Sequence, residues 1–475
     1  MRPDWKRDAF AGTLSAGTIS LSDIVSALSF ALDLTEDARP GHAVRSCLLG
    51  MRIGTELGLP DQQLSSLYYA LLLKDIGCSC NANLLCEMVG GDDRRIKRSV
   101  KLEDWRYPSI SGLKLLWEHA GAGEAILMKS KRVLSLAMRR RRFRNELVRL
   151  RCECGVKVGR KIGLPEASVE AISSLDEHWD GRGYPERLRG EAIPILARII
   201  NLAQCLDLFS SENGTAAAMR SISARSGSWF DPELVRVARA LSQQNRLWEF
   251  YGSGMERKVV LGLEPGMIVR ADDAQIDRIA EAFADVVDAK SPFTYAHLLG
   301  VRDAAMHIAR QIGMSGERLN LVYRASLLHD LGKLRVPNSI LDKPGKLDFM
   351  EWQVVREHPG LSGEILSRIR PFQELARVVG EHHEKLDGSG YPGGLKGDQL
   401  SIESRIVAVA DVYGALLEDR SYRPGRSRAA ALLSMKESVP GKLDAECYEA
   451  LAASSASGLP FARRDSSHVH RDMYG

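Results

Sequence analysis

The six residues Asp180-Gly-Arg-Gly-Tyr-Pro185 return as Asp387-Gly-Ser-Gly-Tyr-Pro392, at an offset of 207. The match continues without a gap, with Leu188 over Leu395, Gly190 over Gly397, Arg198-Ile199 over Arg405-Ile406 and Ala203 over Ala410. Upstream, Lys74-Asp75-Ile-Gly77 answers His329-Asp330-Leu-Gly332 and His42 answers His297, both at an offset of 255. Each copy keeps 32 residues between its first histidine and the following Lys74 or His329 position. A chain that repeats in this ordered way folds as two versions of one architecture. The larger upstream offset, 255 against 207, places an insertion of about 48 residues in the first copy, around 81–150.

The second copy carries the helical period. Ile276, Ile279, Phe283, Val286 and Val287 recur at helical spacing, as do Val301, Ala304, Ala305 and Ile308. Pro292 separates these two segments. Leu321–Leu328 reads as a buried apolar helix ending in His329-Asp330, and Glu374–His383 as another. Ser404–Leu417 mixes apolar and small residues, fit for a central helix that others approach closely. Gly and Pro cluster at 388–397 in an irregular loop, and no alternating strand series is present. The expectation is an all-α fold of two related helical bundles in tandem. Residues 1–255 form the first, 256–272 a linker, 273–453 the second and 454–475 a flexible tail. Within the linker, Val259–Leu263 is expected to form a short extended connection.

Composition narrows the function classes. At 475 residues the chain can bury more than one core, and 44% hydrophobic with 27% charged content is that of an ordinary globular protein. A formal net charge of +4 gives no reason to expect a nucleic-acid partner. No stretch approaches the roughly 18–20 unbroken apolar residues of a membrane span, and the charged first ten residues do not resemble a secretory signal. A cytoplasmic address is expected. The eight cysteines match no secreted disulfide framework and read as reduced, small buried residues, including the Cys78-Ser-Cys80 and Cys152-Glu-Cys154 pairs. Lys129 to Arg144 is a strongly basic run, read as a solvated helix face.

The second copy concentrates metal-ligand chemistry. His297, His329, Asp330, His358, His382, His383 and Asp411 all lie on or beside predicted helices, where side chains can converge in a bundle core. Imidazole and carboxylate ligands without thiolate favour iron, manganese or another borderline metal over a structural zinc. Two such ions activate water at neutral pH and neutralise a phosphate, so the constellation points to phosphate-ester hydrolysis.

The block from about Asp288 to Gly441 resembles the HD-GYP domains, a branch of the HD metal-dependent phosphohydrolases. The likeness covers Thr294-Tyr-Ala-His297, His329-Asp330-Leu-Gly-Lys333, Lys343-Pro-Gly-Lys-Leu347, His358-Pro359 and His382-His383-Glu384. It continues through Asp387–Pro392, Ala410-Asp411-Val-Tyr413 and Glu418-Asp-Arg420-Ser-Tyr-Arg423. The resemblance implies hydrolysis of a cyclic dinucleotide, most readily cyclic di-GMP, by a hydroxide bridging two divalent transition-metal ions. It assigns His329, Asp330 and Asp411, with His297, to the first ion. Asp330 bridges to a second, held by His358, His382 and His383. Asp330 and Lys333 would be catalytic, and Lys333, Tyr391, Arg420 and Arg423 would meet substrate. It also implies a protein-partner surface at the Gly-Tyr-Pro loop. Phe293 stands where some members add a carboxylate for a third metal, so two are expected. Gly414 replaces an aspartate common in relatives, a departure read as peripheral.

The first copy lacks this equipment. Lys74 takes the place of His329, Leu175-Asp176 of His382-His383, Gln204 of Asp411, and Cys78 of Lys333. No histidine lies between His119 and His178 to answer His358. It reads as a degenerate copy with a regulatory or scaffolding role. Two rival functions remain at this point: an HD phosphohydrolase acting on another nucleotide, and a nucleotide-binding signalling scaffold without turnover.

Overall fold

Apolar periodicity without strand alternation leaves helix packing as the means of burying this chain, and the computed structural model is built that way. It describes residues 19–102, 117, 126–266, 270–291, 297–419 and 423–453. Among them no named strand occurs, only isolated bridges such as that pairing Ser20 with Arg270. In chain order the first half contains α1 (Leu21–Asp33), α2 (His42–Glu56), α3 (Asp61–Leu73), α4 (Ala82–Val89) and α5 (Asp93–Leu102). It continues with α6 (Ile126–Ile162), α7 (Glu166–Ser173), α8 (Ile195–Asn213), α9 (Thr215–Ala224) and α10 (Pro232–Gln243). After α11 (Glu256–Leu261) come α12 (Asp273–Asp288), α13 (His297–Gln311), α14 (Gly316–Leu328), α15 (Asn338–Leu341) and α16 (Phe349–Arg356). Then follow α17 (His358–Ser367), α18 (Gln373–Glu381), α19 (Ile402–Leu417), α20 (Arg428–Lys436) and α21 (Ala445–Ala452).

The repeat in sequence is a repeat in helix register. Helices α2 and α13 begin 255 residues apart, as do α3 and α14, while α7 and α18, and α8 and α19, begin 207 apart. In each half the central helix, α8 or α19, lies along the helix that opens with the matched histidine, α2 or α13. Small residues make the close approach: a Cβ on Gly50 of α2 would fall 2.6 Å from Leu71 and 3.3 Å from Ala203. Asp272 and Ser401 cap α12 and α19 by accepting backbone N–H groups from Gln275 and Ser404. Asp33 does related work in the first half, accepting from Gly41 and Ala43 at 2.8 and 3.0 Å and so pinning the start of α2. Its counterpart Asp288 accepts from Leu298 at the start of α13.

One hydrophobic core runs through both halves, from Leu28 and Leu48 through Phe283 to Ile365 and Val378. Helix α1 packs on α17, and α12 packs on α6. A second core lies between α13, α19 and the last two helices, around Ala305, Tyr413 and Met435. Polar ties cross the junction as well. Buried Asp93 accepts from the Asn338 backbone at 3.0 Å and faces the Lys290 ammonium at 3.6 Å, and Lys161 meets Asp285 at 2.7 Å.

Three expectations change. Val259–Leu263 does not run extended; Glu256–Leu261 is a helical turn with Val260 buried, because that side chain finds the core. The basic run is not simply a solvated face. Arg132 donates to the carbonyls of Glu87 and Met88, and the Arg144 guanidinium lies 4.2 Å above the Tyr184 ring. Finally, Cys80 and Cys154 are joined as a disulfide, which fastens the turn after Gly77 to α6, whereas Cys47, Cys78, Cys86, Cys152, Cys205 and Cys447 take part in no disulfide. The tail expected to fray, 454–475, lies outside the described residues.

Candidate metal centre

Three helices end at this place, and histidines hydrogen-bond carbonyls of their last turns. His329 Nδ1 meets the Ser326 carbonyl at the end of α14, at 2.9 Å. His358 Nδ1 meets Val355 O at the end of α16, and His382 Nδ1 meets Val379 O at the end of α18, both at 2.6 Å. A carbonyl can only accept, so each Nδ1 must carry the proton. In the neutral ring, that leaves the Nε2 lone pair facing inward. Burial holds His358 below its ordinary range, and burial with the neighbouring imidazoles holds His382 well below, so both stay neutral.

These lone pairs converge. His358 Nε2 and His382 Nε2 lie 3.2 Å apart, an arrangement that repels unless a cation sits between or beside them. His383, 24% exposed, completes a group of three whose ligand atoms lie within 4.8 Å of one another. A second group joins His297, His329 and Asp330, and a third His329, His382 and Asp411, at the same spacing. Asp330 links them: one oxygen is 3.2 Å from His358 Nε2, the other 3.4 Å from His329 Nε2 and 3.7 Å from His297 Nε2. His329 Nε2 and Asp330 Oδ1 are buried without a hydrogen bond among the described residues.

The field inside this cluster suits cations. Burial by itself would raise the Asp330 carboxyl, but the Lys333 ammonium at 2.6 Å and the flanking imidazoles hold it far below the usual carboxylate range. Asp411 is held down in the same way by His297, His329 and His383, again against burial. Burial would lower His297, yet Glu418 and Asp411 push it up to about 10. A field that draws a proton onto His297 draws a metal ion equally well. The helix C-termini add partial negative charge from three directions. The donors present therefore fit divalent metal.

Around the rim, Tyr391 stands 4.8 Å from the His383 ring, with the Arg356 guanidinium 4.8 Å above it and Trp352 at 6.1 Å. Its loop is anchored by Glu384, whose carboxylate accepts backbone N–H groups of Gly393, Gly394 and Leu395. Arg423 is turned to the end of α19, donating to the Ala415 carbonyl at 2.6 Å. Arg420 and Phe293 lie outside the described residues.

The structure thus brings together all seven ligand-type residues singled out in the sequence, with Lys333 and Tyr391 beside them. Sequence reasoning passed over Trp352, Arg356 and the contact of Glu418 with His297 Nδ1 at 2.8 Å. It also passed over two carboxylates that the repeat could have flagged, since Glu177 recurs as Glu384 at offset 207 and Asp33 as Asp288 at offset 255. Gly414 is not peripheral: a Cβ there would stand 3.6 Å from His297 Nδ1.

The first half shows what the same frame does with other residues. His42 Nδ1 pairs with Asp207 Oδ2 at 2.6 Å, Lys74 ion-pairs with Asp75, and Leu175 fills the place of His382. Glu36, Asp75 and Cys78 also come within ligand reach of one another, but the Lys74 ammonium already supplies positive charge to Asp75.

Comparison with known proteins agrees with this geometry. The family model described as HD domain matches residues 130–234 and 281–447, a stretch in each half. The 3'3'-cGAMP-specific phosphodiesterase 3 of Vibrio cholerae serotype O1 is 40% identical over 92% of this chain and 95% of its own length. The cyclic di-GMP phosphodiesterase response regulator RpfG of Xanthomonas campestris pv. campestris is 39% identical over 37% of this chain and 46% of its own. Among solved structures, the crystal structure of a cyclic GMP-AMP specific phosphodiesterase of V. cholerae (V-cGAP3) superposes with a TM-score of 0.64 at 36% identity. It covers 92% of this chain and 98% of that one.

Proposed function

The chain belongs to the HD domain family, in its HD-GYP branch, and on that premise we propose that its substrate is 3'3'-cGAMP. It is a metal-dependent phosphohydrolase of cyclic dinucleotides. The finer assignment is supported by extent: the relative named for 3'3'-cGAMP aligns across both halves, whereas RpfG, named for cyclic di-GMP, aligns over 37% of the chain. Cyclic di-GMP is the second reading, favoured by the several relatives that carry that name.

The observation that carries the reaction is the convergence of inward-facing imidazoles on the shared carboxylate Asp330. We assign two divalent ions, iron or manganese by the donor set. His297, His329, Asp330 and Asp411 would hold one, and Asp330, His358, His382 and His383 the other. When bound, such ions supply an activated water and charge neutralisation at phosphorus. The residues of the chain do the remaining work. The carbonyls of Ser326, Val355 and Val379 fix the histidine tautomers. Lys333, held by Asp330, presents an ammonium to a phosphate oxygen. Tyr391 and Trp352 offer aromatic faces to the bases, with Arg356 beside them. Water oxygen bonds to phosphorus, the ester P–O bond breaks, and the product is the linear dinucleotide. The Gly-Tyr-Pro loop, rimming the pocket, is a surface for a protein partner.

The test is chromatography of products after metal-loaded protein meets 3'3'-cGAMP, cyclic di-GMP and cyclic di-AMP separately. Preferential conversion of 3'3'-cGAMP supports the first reading, and preference for cyclic di-GMP the second. Binding without turnover of any of them would return the chain to a scaffold.

A further inference from the structure

The two halves hold their matched histidines from different places. In the first half His42 Nδ1 lies 2.6 Å from the Asp207 carboxylate, with both side chains buried. Asp207 corresponds to Gly414 at the offset of 207, and His42 to His297 at 255. A Cβ on Gly414 would stand 3.6 Å from both Nδ1 and Cε1 of His297, so the position still faces the imidazole but offers it no carboxylate. The carboxylate comes instead from Glu418, one helical turn further on, whose Oε1 is 2.8 Å from His297 Nδ1. Its first-half counterpart is Ser211. Packing accounts for the relocation. The same Cβ would fall 2.9 Å from Val301, whereas the residue matched to Val301 in the first half is the smaller, buried Ser46.

We propose that Glu418 is the positioning residue of His297, standing in for the carboxylate that the central helix itself supplies in the first half. A carboxylate accepts, so Nδ1 carries a proton, and Nε2 is aimed at the ground between Asp411 and Asp330, 3.3 and 3.7 Å away. His329, His358 and His382 are oriented by backbone carbonyls, whereas the Nδ1 of His297 meets a side-chain carboxylate.

The inference rests on the metal-centre reading, and the test separates the two. Equilibrium dialysis of Mn²⁺ is run on the full-length protein, its Glu418→Ala variant and the triple variant E418A/G414D/V301S, with product formation followed in parallel. Glu418→Ala is expected to weaken at least one Mn²⁺ site by roughly 10–100-fold. The triple variant, which moves the carboxylate to its first-half position and clears Val301, is expected to recover most of that loss. A purely structural role for Glu418 would not be rescued from position 414. Should Glu418→Ala fail to fold, Glu418→Gln keeps the shape and an acceptor oxygen, and a smaller loss of the same sign is expected. Wild-type uptake matched by Glu418→Ala or Glu418→Gln overturns the Glu418 assignment alone, as does a folded triple variant no better than Glu418→Ala. A wild-type protein that takes up no Mn²⁺ overturns the metal centre and this inference with it.

Discussion

The same helical frame solves one electrostatic problem twice. In both halves a buried aspartate, Asp75 or Asp330, sits at the end of an apolar helix and must be neutralised. The first half does so from within, with the Lys74 ammonium paired to Asp75 and His42 and Arg45 both on Asp207 at 2.6 Å. The second half gives Asp330 one ammonium, that of Lys333, and otherwise surrounds it with imidazoles whose lone pairs face each other, a setting open to cations from outside. Lysine and metal are alternatives for the same place. A chain that repeats its fold can therefore keep one copy closed and stable while the other stays dependent on what it binds.

The sharpest break between the halves should come from the matched aspartates. Asp330→Asn removes the carboxylate shared by both ligand groups, and turnover of cyclic dinucleotide should fall to the uncatalysed background. Asp75→Asn should leave kcat unchanged but strand the Lys74 ammonium in the interior, at a cost of roughly 3–5 kcal/mol in unfolding free energy. Product chromatography and urea midpoints on both variants check this. Equal loss of activity in the two would mean that the first half takes part in the chemistry.

Chelation should divide the halves next. A ligand bound only by the folded state at 100 times its dissociation constant adds about 2.7 kcal/mol of stability. Removing metal should therefore raise backbone hydrogen exchange in α13, α14 and α19, which frame the imidazoles. Helices α2, α3 and α8 carry their own charges and should respond less. A uniform rise across both halves would show that the shared core transmits the loss.

Acid should act on the first half through Asp207. Burial alone would raise that carboxyl, but the His42 and Arg45 donors hold it below the usual range. A carboxyl depressed in the folded state stabilises above its unfolded pKa of about 3.9, and that stability is lost as pH falls through the folded value. The advantage of wild type over Asp207→Asn should therefore be full at pH 7 and shrink below about pH 4. Asp33, which burial pushes up to about 6, works in the opposite direction but is common to both proteins and cancels in the difference. Urea midpoints from pH 7 down to pH 3 measure it. A difference that does not narrow would mean that Asp207 stays charged throughout or contributes by packing alone.

Much of this could be read in the chain because the repeat is a register, and register survives in spacing. The helix starts and the loop at Asp387–Pro392 follow from periodicity and offset, while the grouping of seven ligand-type residues comes from their residue types on predicted helices and from the family resemblance. What escaped are matters of distance across the fold. The Cys80–Cys154 link joins residues 74 apart, and pairing of that kind has no local signature. Residues 256–261 coil into a turn of helix because Val260 meets the core, which no short window reveals. The reach of Glu418 to His297 is visible only once α13 and α19 lie side by side.

The smallest contrast lies in the two Gly-Tyr-Pro loops. Each tyrosine carries an arginine over its ring, Arg144 on Tyr184 at 4.2 Å and Arg356 on Tyr391 at 4.8 Å. Their origins differ. Arg144 comes from the long helix α6 and also donates to the Tyr184 hydroxyl, closing the first-half loop against the insertion. Arg356 comes from the last turn of α16, two residues before His358, so it sits at the mouth of the metal centre. Arg144→Ala should cost about 0.5–2 kcal/mol, the range of a cation–π contact, with kcat and KM unchanged. Arg356→Ala should cost no more in stability but raise KM severalfold for cyclic dinucleotide, the outcome expected of a cation placed beside His358. Steady-state kinetics beside thermal melts separate the two effects. A raised KM in Arg144→Ala would mean that the closed loop of the first half sets the shape of the open one in the second.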